Sequence, residues 1–186
     1  MEYVLQTNVL CKKYQKFTAL DNLTMHIPKG AIYGFIGKNG AGKTTLIRLL
    51  CGLQQPTSGE LSLYGTLHSQ PQIQNARKRI GAVVETPSIY LDMTAEENLR
   101  QQFQILGLPS YREISGLLQL VGLQDTGKKK AKHFSLGMRQ RLGIAIALCG
   151  NPDFLILDEP VNGLDPQGII EIRELILKLN RERQIT

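Results

Sequence analysis

Gly37, Gly42, Lys43 and Thr44 satisfy the spacing G-x-x-x-x-G-K-[ST]. That pattern suits the cradling of a polyphosphate. Glycines let the backbone curl so that successive N–H groups point inward at an anion. A helix opening at Lys43 would add the positive end of its dipole. The Lys43 ammonium would bring a full charge to the terminal phosphates, and the Thr44 hydroxyl a ligand for Mg²⁺. The predicted phosphate loop is therefore Gly37, Lys38, Asn39, Gly40, Ala41, Gly42, Lys43, Thr44 and Thr45. A second constellation, Phe154–Glu159, sets four apolar residues before two acids. Such a run reads as a strand buried on both faces, with Asp158 at its carboxyl end, where open α/β sheets bind ligands. Asp158 there suits Mg²⁺, directly or through water, and Glu159 suits polarising a water against a γ-phosphate. Taken alone, an acidic pair before Pro160 fits a turn or helix cap equally well. The upstream loop favours the metal-and-water reading.

These residues need elements to hold them. Val4–Leu10, Leu20–Ile27 and Ala31–Ile36 read as strands separated by turn residues, the last running straight into the phosphate loop. From Lys43 the pattern turns helical and stops at Gly52. Glu60–Tyr64 and Ile80–Glu85 read as further strands. From Thr94 to about Leu123 the pattern is helical, opening on a capping box of Thr94 and Glu97 and broken at Pro109 and Ser110. Leu136–Cys149 and the amphipathic stretch Pro166–Arg183 complete the helices. The expected fold is α/β, with a mostly parallel sheet, an N-terminal antiparallel β part, and an inserted helical subdomain over about residues 88–150. An apolar start after the last helix, at Ile185, leads us to expect a further strand and hence a piece of a longer domain.

Bulk properties narrow the classes. The chain has 186 residues, 42% hydrophobic and 20% charged, which suits one globular domain. No run of about 18 apolar residues occurs, so no membrane-spanning helix is expected, and the N-terminus does not read as a secretory signal. Cys11, Cys51 and Cys149 form no C-x-x-C pair and read as reduced thiols of a cytoplasmic protein. The net charge is +6, with one dense cluster at Lys128–Lys130 and Lys132. A short polar run of this kind reads as a solvated face, and nucleic acid is not an expected partner.

With these motifs in order, the chain resembles the nucleotide-binding domain of ABC transporters, over nearly its whole length. GKNGAGKTT resembles the family's Walker A loop in a P-loop NTPase core, and FLILDEP its Walker B with the catalytic Glu159. Asn162-Gly163-Leu164-Asp165 resembles the D-loop, which implies that Asp165 lies near nucleotide. Tyr14 resembles the aromatic residue that stacks on adenine, and is otherwise an ordinary strand-end tyrosine. The family signature LSGGQ is matched by Phe134-Ser135-Leu136-Gly137-Met138, in which Ser135 and Gly137 survive. The resemblance implies that these two residues close over ATP held by a partner domain, in a head-to-tail dimer with a second copy or a homologous domain. Ser135 as an ordinary helix N-cap is compatible with that role. Where the family usually carries glutamine, this chain has Glu85, implied to reach Mg²⁺. The family's switch histidine lies on a strand after the last helix, and His26, His68 and His133 stand elsewhere.

The resemblance implies ATP and Mg²⁺ as cofactors and an ATPase that powers separate transmembrane permease subunits, from the cytoplasmic face of the cell membrane. SLGM, Glu85 and NGLDP together resemble the subgroup serving bacitracin and lantibiotic peptides. A non-transport ABC ATPase of translation or DNA maintenance is the alternative. It is disfavoured by a single domain and by the lack of sustained heptads. A GTPase would need an Asn-Lys-x-Asp motif, which the sequence lacks.

Overall fold

The computed structural model describes residues 2–186. Two long strands, β1 (Tyr3–Tyr14) and β2 (Phe17–Pro28), form an antiparallel hairpin. The short strands β3 (Ser58–Leu63) and β4 (Thr66–Leu67) extend it into a four-stranded sheet of order β2-β1-β3-β4. Between them α1 (Lys43–Leu50) packs Leu46, Leu49 and Leu50 inward. The one-turn helix α2 (Ile73–Arg77) leads to β5 (Ile80–Val83), which pairs in parallel with β6 (Phe154–Leu157). Helices α3 (Ala95–Ile105), α4 (Glu113–Leu120) and α5 (Leu136–Leu148) fill the interval, and α6 (Pro166–Arg183) follows β6. The antiparallel part, the parallel pair and the inserted helices are those expected for the α/β fold.

The apolar interior divides in two. One cluster joins β1–β3 to α1 and α2, and the other joins α3, α4, α5 and α6. Strand β6 forms the seam. Phe154 and Ile156 are buried in the first cluster, while Leu155 and Leu157 pack against the second. The twofold alternation of a strand does this directly, because successive side chains leave on opposite faces. Asp158 emerges at the end of the seam, and its backbone N–H continues the ladder to the Val83 carbonyl. In the helical cluster Phe103 is fully buried, with its ring 6.2 Å from that of Tyr111. Phe103→Ala should cost about 3–5 kcal/mol through lost burial and an unfilled cavity, read as a lowered urea midpoint.

One expected strand is absent. Ala31–Ile36 has strand composition, yet it forms no ladder, and Ile36 is 94% exposed. A strand is held by the neighbour that takes its N–H and carbonyl groups, and this segment has none beside it. Among the described residues the edge of β6 away from β5 is paired through Thr186 alone, which exchanges bonds with Asp153 and Leu155 at 2.9 Å each. Between that edge and the 31–36 segment lies a cavity of about 520 Å³ lined by Ile32, Phe35, Leu155 and Ile185 among others. Apolar patterning marks the segment as interior-seeking, yet residues 32–36 are exposed, because patterning cannot supply a partner. No helix among the described residues is long and apolar enough to cross a membrane.

Candidate functional site

The phosphate loop has the local conformation that its glycines permit. Gly40 and Gly42 hold left-handed backbone at φ 80° and 87°, where a side chain would be strained. Gly42 is also needed for close approach: a Cβ there would lie 2.2 Å from the Ala19 carbonyl oxygen of β2. Gly42 is the N-cap of α1 and contributes no side-chain cap, so the first-turn N–H groups are left for an anion. The Lys43 ammonium donates to the Gly37 and Lys38 carbonyls at 3.0 and 3.2 Å, closing the loop on itself. Beside it lies a cavity of about 380 Å³, lined by Phe17, Asn39, Gly40, Lys43, Thr45 and Glu159 among others.

The two sequence constellations meet here. Thr44 Oγ1 donates to Asp158 Oδ2 at 2.8 Å, although 114 residues separate them. Asp158 is buried, as befits the end of a strand inside the sheet. Glu159 turns sharply away with φ 47°, so its side chain leaves the strand and stands half exposed. Its Oε1 lies 3.7 Å from Lys43 Nζ, and its Oε2 accepts from Asn162 Nδ2 at 3.2 Å. Lys43 and Glu159 are thus matched as a charge pair, while Asp158 is satisfied by the Thr44 hydroxyl. A phosphate would take over the Lys43 ammonium, and a hard cation would fit the hydroxyl and carboxylate oxygens of Thr44 and Asp158. The residues present therefore fit a nucleotide and Mg²⁺. Among the described residues no group of three or more His, Cys, Asp or Glu is placed to hold a metal. The site suits Mg²⁺ held mainly by phosphate and water oxygens, with few protein ligands.

The other predicted site residues lie apart from this cavity. Tyr14 OH donates to the Gln54 side-chain carbonyl, and it is Phe17, the register partner of Tyr14 across the hairpin, that lines the cavity. Phe17 belongs to no motif in the sequence, and only the structure marks it, as an apolar aromatic 60% exposed beside the cavity. Glu85 follows β5 in left-handed backbone at φ 60° and is ion-paired with Arg48. Ser135 is the N-cap of α5, its hydroxyl accepting from Met138 N–H at 3.2 Å, and Gly137 lies in the first turn. Leu136, in place of the family's glycine, stays 45% exposed, and its side chain approaches Gly163. Asp165 caps α6, its carboxylate accepting from Gly168 N–H at 3.0 Å, so the D-loop match has a structural duty here. The cysteines take no part. Burial pushes the Cys149 thiol up to about 12 and that of Cys51 to about 11, so neither is a thiolate at neutral pH.

Comparison with known proteins agrees with this geometry. A family model described as ABC transporter matches residues 20–162, from within β2 to Asn162 at the start of the D-loop match. The bacitracin transport ATP-binding protein BcrA of Bacillus licheniformis is 48% identical over 186 residues, covering 100% of this chain and 60% of its own length. The lantibiotic transport ATP-binding protein SrtF of Streptococcus pyogenes is 45% identical over 179 residues, covering 96% and 76%. Among solved structures, a dimeric ATP-binding cassette in a post-hydrolysis state bound to ADP and Pi superposes with a TM-score of 0.83 at 25% identity, over 98% of this chain and 85% of that one. The phosphate loop joined to Asp158 and Glu159, on a fold shared with such cassettes, places the chain in the ABC transporter family.

Proposed function

We propose that the chain is the ATP-binding and ATP-hydrolysing part of a transporter subunit, and that two copies, or one copy and a homologous domain, close around ATP. The observation that carries this reading is the convergence of Lys43, Thr44 and Glu159 on one cavity, with Asp158 bonded to Thr44 beside it. Lys43 and the first-turn N–H groups of α1 would bind the β- and γ-phosphates. Thr44 and Asp158 would hold Mg²⁺, with Glu85 as a further carboxylate, and the ion would neutralise charge developing on the phosphates. Glu159 would take the proton of the attacking water, once phosphate has drawn Lys43 away from it.

The cavity is open on one side, and Ser135 and Gly137 stand away from it, where they suit a nucleotide held by another domain. A hydroxyl and N–H groups at the N-terminus of α5 are good ligands for a γ-phosphate. The dimeric relative with bound ADP and Pi supports this arrangement. Closure driven by ATP and release after hydrolysis would then move the membrane subunits, so coupling is a conformational step. The relatives' transport roles support placing the domain against the cytoplasmic face of a membrane, with separate permease chains and peptide antibiotics of the bacitracin or lantibiotic kind as cargo. The test is the size of a Glu159→Gln variant at saturating ATP and Mg²⁺, by light scattering on a gel-filtration column. A dimer with ATP and a monomer without it is expected. A monomer under both conditions refutes the sandwich.

A further inference from the structure

Arg48 sits in the last turn of α1, the helix whose first turn carries Lys43 and Thr44. Residues 44 and 48 are four apart, so they share one helix face and lie about 6 Å apart along its axis. The Thr44–Asp158 bond marks the phosphate end of that face, and the Arg48–Glu85 pair marks the other end. Glu85 is therefore held by Arg48, on the helix face that also carries Thr44, and not by the oxygens that suit Mg²⁺. Arg48 engages one oxygen of this carboxylate, and its positive charge beside Glu85 works against the approach of a divalent cation. The left-handed backbone of Glu85 sharpens the choice, since strain of this kind persists where the surroundings hold a residue in a particular direction.

We propose that Arg48 is a positioning residue that competes with Mg²⁺ for Glu85, keeping this carboxylate on α1 until Mg·ATP arrives. This rests on the reading of Glu85 as a metal-side carboxylate given above. The pair is suited to a reversible hold. Its side chains are 38% and 57% exposed, so water screens the attraction and a divalent cation can displace the guanidinium. A glutamine at position 85 would carry no charge for Arg48 to hold. The substitution that adds a negative charge to the site thus also supplies the charge that restrains it.

The test is Mg²⁺ titration of the binding of a fluorescent ATP analogue, for the wild-type chain and for Arg48→Gln, Arg48→Lys, Glu85→Gln and the Arg48→Gln/Glu85→Gln double variant. The expected result is that Arg48→Gln lowers the Mg²⁺ concentration for half-maximal binding by about two- to fivefold, the range of an exposed ion pair. Arg48→Lys should shift it less, because the charge remains. In the Glu85→Gln background, Arg48→Gln should have no effect. An equal shift in both backgrounds would mean that Arg48 acts only through bulk charge, and would overturn the inference. So would an unshifted Arg48→Gln titration beside a shifted Glu85→Gln one, and then the reading of Glu85 as a metal-side group would survive. A Glu85→Gln titration superimposed on the wild type overturns that reading and the inference with it.

Discussion

Glu159→Gln should lower ATP turnover by at least about 100-fold, the range in which a positioned general base contributes. The glutamine keeps the size of the side chain and its bond to Asn162, but loses the lone-pair basicity needed to take a proton. Nucleotide binding should survive and tighten slightly. In the wild type the Glu159 carboxylate stands 3.7 Å from Lys43 and competes with the incoming phosphate for that ammonium. Neutralising it removes the competitor. The check is phosphate release at saturating Mg·ATP beside a binding isotherm on the same preparation. Turnover within about tenfold of wild type would remove Glu159 from the role of general base.

Lys43→Ala should do the opposite, striking binding first. A charge-assisted contact to a phosphate is worth about 1.5–3 kcal/mol, so affinity for ATP should fall by about 10- to 100-fold. The fold should hold, because Lys43 otherwise bonds only two loop carbonyls and a half-exposed carboxylate. Lys43→Arg would not restore full affinity, since a planar fork does not replace a point charge in a cradle built around an ammonium. Calorimetric titration with Mg·ATP measures the loss, and an unchanged far-UV circular dichroism spectrum shows that it is local.

Much of the site was legible because its parts are local in sequence. The helix start at Lys43 after the glycine loop, the Thr94–Glu97 capping box, the Ser135 N-cap and the bounds of α6 all follow from residues a few positions apart, and each appears in the structure as read. Asp158 was legible for another reason: a run of four apolar residues can only end at an edge of the core. Pairings between distant residues were legible only where motifs carried them: the phosphate loop already implied Asp158 and Glu159 beside its phosphates. Nothing near Arg48 in sequence points to Glu85, a meeting that depends on where the chain after β5 is brought by tertiary packing. The 31–36 segment shows the converse limit. Its composition asks for a ladder, and only tertiary pairing decides whether one forms.

The division of the interior into two clusters has a thermodynamic consequence. Lys43 and Thr44 ride on a helix rooted in the antiparallel cluster, while Glu159 and Asp165 lead into a helix rooted in the other. Regions with separate cores open separately, each with its own free energy of local unfolding. A nucleotide touching both sides of the β6 seam binds only when both regions are closed, so by mass action it stabilises them together. Two units of independent amide protection in the free chain would become one on binding.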